Sequence, residues 1–380
     1  MLISTMLRAE FCTAIEQVAS EAWDALHPNH PFVRHSFLAA LEREGCVGGQ
    51  TGWLPQHWLC WQGTKLIAAV PGYVKSHSYG EYVFDWSWAD AFTKYNYPYY
   101  PKWLAAVPFT PISGPRLLGA MTTEVQTLLC QHLSHTMQEA GWSGWHINFA
   151  APELVQSLAA HSSAMTRHTV QFHWHNRGYA DFTAFLATLT ARRRKQVRKE
   201  REQVLAQITI RTLCGANISE QDIVHFYTCY QHTYLKRSGH TGYLNLRFFR
   251  ALVAQQASQV VLMQAWQGEQ CVAASLYLQD DTTLYGRYWG ALTDLPGLHF
   301  ELCYYQAIEY AIKQRLQTVN AGAQGEHKIL RGFEPELTQS LHCMAESPFS
   351  ATLAQFCHQE RHAMAQYQQE CRLALPFKHQ

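Results

Sequence analysis

A nine-residue phrase occurs twice in this chain. Trp61-Gln62-Gly63-Thr64-Lys65-Leu66-Ile67-Ala68-Ala69 returns as Trp266-Gln267-Gly268-Glu269-Gln270-Cys271-Val272-Ala273-Ala274, 205 residues later. Five of the nine positions are identical, and Val272 stands where the first copy has Ile67. Each copy reads as a strand, a tight turn holding a glycine, and a second apolar strand, the signature of a β-hairpin. Solenoid repeats recur every 20–50 residues or so, so an echo at this distance implies two copies of one domain.

The segments downstream of each hairpin support duplication. After the first come Ser76 to Trp86 with strand character, an aromatic and Pro-rich stretch over 93–115, and a helix capped at Thr122 that runs to about Glu139 and stops at Gly141. The strand Trp145-His146-Ile147-Asn148-Phe149 closes that half. After the second come the strand Thr283–Ala291, a helix over about 299–315, and the strand Thr318-Val319-Asn320-Ala321. Both halves therefore read β-β-β-loop-α-β, preceded by segments with helical character at 8–46 and 218–257. The proline-rich stretch is expected to be an ordered loop, because proline removes a donor and fixes φ.

Bulk numbers narrow the class. A length of 380 residues suits two or three domains, and 47% hydrophobic with 13% aromatic content is globular. The net charge of +1 provides no global attraction to nucleic acid or anionic membrane. No run approaches 18 uncharged apolar residues, so no integral membrane segment is expected. The apolar run at Met1–Leu7 is too short for a secretory signal, and the eleven cysteines contain no C-x-x-C pair. The expected compartment is the cytoplasm, with no DNA partner.

Helices leading into an antiparallel hairpin and then a β-α-β crossover resemble the GNAT acyltransferase fold, and two such halves resemble the FemAB-like tandem-GNAT family. The likeness is carried by Arg192-Arg193-Arg194-Lys195-Gln196-Val197-Arg198-Lys199-Glu200 ahead of the second half, by Phe226-Tyr227 through Phe248-Phe249, and by Val319-Asn320-Ala321-Gly322-Ala323. His77 to Asp85, together with Gly325-Glu326-His327-Lys328 and Arg331-Gly332-Phe333, is similar to a bacterial branch described as peptidoglycan biosynthesis or recognition proteins. The resemblance implies an α/β fold with mixed sheets and two GNAT-like domains, divided as 1–165 and 166–380. It also implies transfer of an acyl or aminoacyl group to an amine of a peptide-like or cell-wall precursor. The donor is aminoacyl-tRNA or acyl-CoA, which makes charged tRNA a candidate partner.

Candidate site residues fall in three clusters. Gln324 to Phe333 follows the last strand of the second half, where α/β sheets place ligands. In it Glu326 or His327 is expected as the base, with Lys328 and Arg331 as anion clamps. In the first half, alternation along a strand would put His77, Tyr79, Glu81, Val83 and Asp85 on one face. Trp86 and Trp88 beside Asp85 and Asp90 would form an aromatic platform for a sugar or peptide. Arg194, Arg198 and Arg201 share a helical face with Val197 and are candidates for phosphate contact. Arg287 on the strand Thr283–Ala291 completes the substrate-binding set.

Several chemistries are disfavoured. His358 and His362 share a helical face but lack the Glu placement of H-E-x-x-H and any third ligand, and His173 and His175, alternating with Trp174 in a strand-like stretch, read as a packed or exposed pair, so no metal is expected. There is no G-x-S-x-G elbow. The coenzyme A fingerprint [Gln/Arg]-x-x-G-x-[Gly/Ala] has no strict match; the nearest, Arg116-Leu117-Leu118-Gly119-Ala120-Met121, ends in Met. Two rivals to catalysis remain. One is a non-catalytic module that recognises a peptidoglycan-type ligand through Trp86, Trp88, Tyr99 and Tyr100. The other is RNA binding through Arg192 to Arg201.

Overall fold

The computed structural model describes residues 6–27, 29–323 and 325–378. Gln324, at the head of the candidate loop, lies outside the described residues, as does the Met1–Thr5 part of the N-terminal apolar run. The chain forms two compact units. Unit 1 is Met1–Thr169 with Leu337–Ala365, and unit 2 is Val170–Glu336 with Gln366–Gln380. A cut at 165/166 would assign residues 337–365 to the second domain, whereas they pack in unit 1.

Unit 1 opens with β1 (Leu7–Cys12), α1 (Ser20–Asp24) and α2 (His35–Arg43), followed by β2 (Trp53–Pro55), β3 (His57–Gln62), β4 (Lys65–Val70) and β5 (Gly72–Lys75). Then come α3 (Trp86–Lys94), β6 (Lys102–Ala105), β7 (Leu118–Gly119), α4 (Thr123–Glu139), β8 (Gly144–Ala150) and α5 (Pro152–Ala160). One sheet runs β1-β3-β4-β7. In a second, β2, β5, β6 and β8 are neighbours in that order, and residues 339–344 pair antiparallel with β8. Their shared core holds Trp58, Trp103, Trp145, Leu129, Leu133 and Leu341.

Three local expectations change. The segment 8–46 is not helical throughout: its first five residues, Arg8 to Cys12, belong to β1, in antiparallel register with β3 from Leu7↔Gln62 to Cys12↔His57. Residues 76–85 are not a strand. β5 ends at Lys75, and Gly80 at φ 80° and Tyr82 at φ 59° take the chain out of extended conformation. Within the proline-rich stretch, Lys102–Ala105 is not loop but the wholly buried β6.

Unit 2 holds β9 (Met165–His175) from Val170 onward, α6 (Phe182–Thr188), α7 (Ala191–Leu205), β10 (Thr209–Cys214), α8 (Glu220–Ser238) and α9 (Leu246–Gln256). After these come β11 (Val260–Gln267), β12 (Gln270–Gln279), β13 (Thr283–Ala291), α10 (Leu298–Phe300), α11 (Gln306–Gln314) and β14 (Thr318–Asn320). A π-turn over Glu301–Tyr305 joins α10 to α11. The strand order is β10-β11-β12-β13-β14-β9, antiparallel except for the β13–β14 crossover pair. β15 (Glu334–Met344) and α12 (Ser350–Leu373) end the chain.

The repeated phrase is two copies of one hairpin in detail. Its turn glycines, Gly63 and Gly268, lie at φ 61° and 57°. Both copies carry a bulge at the same position, between Cys60 and Trp61 and between Ala265 and Trp266. The copies then diverge. β12 continues through a second bulge at Leu276/Tyr277, whereas at the matching position Pro71 ends β4 and the chain passes to β5 in the other sheet. Proline cannot donate to the ladder, so the strand breaks there.

Glycine also sets how closely α8 approaches the sheet of unit 2. A Cβ on Gly290 would lie 2.0 Å from the Cys229 carbonyl oxygen, a backbone atom with no freedom to swing aside. Gly290→Ala should therefore cost roughly 1–3 kcal/mol of stability through overpacking. Urea unfolding checks this, and an unchanged midpoint would show that α8 can shift without penalty.

Candidate active site

The site in unit 2 begins where two strands part. β13 and β14 pair at Thr283↔Thr318, Leu284↔Val319 and Tyr285↔Asn320, after which β14 ends while β13 runs on to Ala291. A cavity of about 130 Å³ lies in the opening. Tyr277, Arg287, Trp289, His299, Cys303 and Tyr304 form most of its wall. Cys303 and Tyr304 come from the π-turn, a widened helical turn that is frequent at functional sites. The turn is held by Arg201, whose guanidinium pairs with fully buried Glu301 at 2.9 Å and with Glu309 at 2.8 Å.

Parting the strands removes the ladder partners of the carbonyls after β14, and a side chain replaces them. Gly322 and Gly325, at φ 75° and 101°, turn the chain into a short 3₁₀ stretch over Glu326–Arg331. That turn buries Lys328, whose Nζ donates to the Ala321 and Gly322 carbonyls at 3.0 and 2.9 Å and lies 3.5 Å from that of Ala323. Lys328 is thus a strut for main-chain carbonyls. Burial pushes its pKa down to about 7.

The neighbours of Lys328 divide by what they touch. His327 Nε2 is 2.8 Å from the Tyr304 hydroxyl, which links the loop to the cavity wall. Glu326 is exposed, and its carboxylate accepts from the Tyr367 hydroxyl at 2.6 Å. Arg331 stacks on Phe300, 3.5 Å from the ring centre, and donates to Glu200 at 3.0 Å and to the His327 carbonyl at 2.8 Å. Glu200 also accepts from Tyr305 at 2.6 Å.

The electrostatics favour an anion. Burial, then His327, Arg237, Lys328 and Arg331, hold His299 down at about 3. His327 is lowered by burial and by the same Lys328 and Arg331, while burial raises the Cys303 thiol and the Tyr304 phenol. At neutral pH the wall therefore presents neutral imidazole, thiol and phenol groups in a field of cations. A second hollow of about 280 Å³ shares Trp289 and His299 with the first and adds Arg237 and the Lys236–Asp294 ion pair. In α7, Val197 is buried, Glu200 and Arg201 engage the π-turn, Arg194 is half-buried and Arg198 is exposed.

In unit 1 the expected platform is largely internal. Lys102, 1% exposed, donates to Glu81 and Ser78 at 2.9 Å each and to Asp85, which also accepts from Tyr99 at 2.6 Å. Burial raises Glu81 to about 7; on Asp85 burial also acts upward, but Lys102 overcomes it and brings the carboxyl to about 2. Glu81 and Asp85 therefore brace the 76–85 loop from inside rather than facing a ligand. Trp88 and Tyr99 are core residues, and Asp90 lies on the exposed side of α3. His77 is half-buried, with Nε2 3.0 Å from the Thr51 carbonyl. Tyr79, 57% exposed, lies against exposed Trp86 at the start of α3, with 5.0 Å between ring centres and the ring planes inclined at 58°, and the two form an outward pair.

The opening matched by pattern in unit 1 is closed. β6 and β8 run parallel from Trp103↔Trp145 to Ala105↔Ile147, like β13 and β14. Gly114 then bridges to Ala150, and Arg116 fills the gap with bonds to main-chain carbonyls. The nearest match to a coenzyme A fingerprint thus turns its arginine inward.

A sequence profile of FemAB-like proteins, described as peptidoglycan biosynthesis/recognition, matches residues 14–379. The chain belongs to the FemAB-like family. Among solved structures, FemX superposes with a TM-score of 0.53 at 9% identity over 91% of this chain and 100% of that one. L-PGS from Bacillus licheniformis gives 0.52 at 9%, covering 89% and 95%. The C-terminal domain of a putative lysylphosphatidylglycerol synthetase from Agrobacterium fabrum gives 0.51 at 9%, covering 90% and 95%. These likenesses establish the fold. No curated protein matches in sequence. Among the described residues of this FemAB-like chain, no helix is long and apolar enough to cross a membrane, and no metal-binding cluster of three or more His, Cys, Asp or Glu occurs.

Lys328 makes the site legible in a titration. Between pH 7 and 8.5 the unfolded chain keeps this lysine protonated while the folded chain releases the proton, so its contribution makes stability rise with pH. The rise is at most about 1.4 kcal/mol per pH unit per group. Lys75, also lowered by burial to about 7, acts in the same direction. Lys328→Met should make the slope of unfolding free energy against pH shallower than in wild type, and identical slopes would show that folded Lys328 keeps its proton throughout.

Proposed function

We propose that unit 2 transfers an acyl or aminoacyl group to an amine, with Tyr304 and His327 as the proton path. The observation that carries this reading is the 2.8 Å bond from His327 Nε2 to a tyrosine hydroxyl in the cavity wall. The amine nitrogen attacks the acyl carbonyl, a C–N bond forms, and the bond from carbonyl carbon to the donor's oxygen or sulfur breaks. The proton lost by the amine passes to the Tyr304 oxygen as the phenol proton moves to His327 Nε2, and the leaving oxygen or sulfur takes a proton back. His327 suits this because its lowered pKa leaves it neutral at pH 7.

The cationic surroundings of the cavity suit a donor or acceptor with an anionic part, and Arg287 in the wall is assigned to it. Exposed Arg198 and half-buried Arg194 are assigned to donor phosphates. Lys328 and Arg331 act by positioning: Lys328 fixes the 321–323 carbonyls, and Arg331 ties the loop to α7. The missing coenzyme A fingerprint favours aminoacyl-tRNA as donor over acyl-CoA. The family description supports a peptide-like peptidoglycan precursor as acceptor. All eleven cysteines are free thiols, which fits work in the reducing cytoplasm.

One observation supports recognition without catalysis, namely the outward Tyr79–Trp86 pair, which suits the apolar face of a sugar. The two readings separate in single-turnover transfer assays using charged tRNA and acyl-CoA with a muropeptide acceptor. Tyr304→Phe and His327→Gln should each lower the rate by about 10²–10⁴, whereas Glu326→Gln should stay near wild type because its carboxylate is occupied by Tyr367. Loss in Glu326→Gln with activity retained in His327→Gln would move the base to Glu326. No transfer by wild type, with thermal stabilisation by muropeptide alone, would leave the recognition reading standing.

A further inference from the structure

Arg116 is a buried cation with no acid beside it. It is 1% exposed, and among the described residues it makes no ion pair. Three other buried cations have carboxylate partners: Lys102 has Glu81 and Asp85, Arg167 has Glu360, and Arg331 has Glu200, whereas Lys75 and Lys328, like Arg116, donate to main-chain carbonyls. Nε of Arg116 donates to the Asn148 carbonyl at 2.8 Å, Nη1 to that of Pro115 at 3.1 Å, and Nη2 to that of Ile112 at 2.6 Å. A guanidinium has five N–H groups, so one on each terminal nitrogen is left over.

The groups gathered around it are unsatisfied as well. Among the described residues, both side-chain amide atoms of Asn148, itself 1% exposed, are buried and have no hydrogen-bond partner, and the same holds for the Ser113 hydroxyl. The bonds already described bring these groups together. Asn148 offers its carbonyl to Arg116, Ser113 adjoins the Ile112 that accepts from Nη2, and Gly114 N donates to the Phe149 carbonyl at 3.0 Å. A buried charge without counter-charge and buried polar atoms without partners are each costly, and here they occur at one place.

The geometry points to a binding site for a small monovalent anion in unit 1, held by the two remaining Arg116 N–H groups, the Asn148 Nδ2 and the Ser113 hydroxyl. The anion supplies the missing counter-charge and accepts from all three side chains. The burial of Arg116 and Asn148, each 1% exposed, suits a small anion such as a halide or formate. The site is independent of the transfer reaction assigned to unit 2, and its ligand holds the 106–116 segment in the opening between β6 and β8.

The test is thermal unfolding of the full chain at constant ionic strength in gluconate, an anion too large to enter, with bromide or formate exchanged in. A saturable rise of about 2–4 °C is expected at a tenfold excess over the dissociation constant. Bromide acting alone identifies a halide site, formate acting alone a carboxylate site. Asn148→Leu, which keeps the guanidinium and its bonds to main-chain carbonyls where Arg116→Gln would break them, should lose most of the rise. In bromide-grown crystals an anomalous peak is expected within about 3.5 Å of an Arg116 terminal nitrogen. Equal midpoints in all anions without such a peak, or an anion effect undiminished in Asn148→Leu, would overturn the proposal and leave a site filled by water only.

Discussion

The parting of β13 from β14 is the constraint around which unit 2 is arranged. A sheet that opens leaves carbonyls without ladder partners, and a buried carbonyl without a donor is costly. Lys328 meets that need by turning its ammonium onto the carbonyls of residues 321–323. The glycines at 322, 325 and 332 allow the chain to fold back tightly enough for it to do so. The same turn sets His327 against Tyr304 and so carries the loop's chemistry into the cavity.

Charge placement follows a related logic. Burying an ion is expensive, and removing one partner of a buried pair is more so. Both units use buried pairs to secure irregular segments. Lys102 with Glu81 and Asp85 secures the 76–85 loop, and Arg201 with Glu301 secures the π-turn. The 76–85 loop has no regular ladder of its own and the π-turn departs from α-helical spacing, so ion pairs and side-chain hydrogen bonds reinforce both. The basic helix α7 therefore has two sides. Glu200 and Arg201 face the π-turn, while Arg198 faces solvent.

Legibility tracked how local each signal was. The hairpins, the Thr122 cap and the helices of 218–257 were readable, because turn chemistry and apolar spacing act over a few residues. β1 was missed although Leu7-Arg8-Ala9-Glu10-Phe11-Cys12 alternates, since a short alternation competes with helical spacing nearby. The strand expected at 76–86 failed because alternation of side chains does not report φ, and Tyr82 adopts a left-handed conformation that the pattern does not show. In the candidate site, the loop after β14 was found from its density of polar residues and glycines. Tyr304, His299 and Glu200 were passed over, because each sits in a helical stretch whose composition reads as scaffold.

By itself the sequence determined the duplication, the order of elements in each half, and the position of the polar loop after the last strand of the second half. These rest on turn residues, periodicity and chain order, which are properties of neighbours. Tertiary structure decided which of two similar openings is a cavity and which is filled. Lys328 and Arg116 are both buried cations that donate to main-chain carbonyls beside a parallel strand pair, yet one braces the wall of an open site and the other occupies the matching gap. That difference depends on which carbonyls lack partners once distant strands have paired, and no local pattern carries this information.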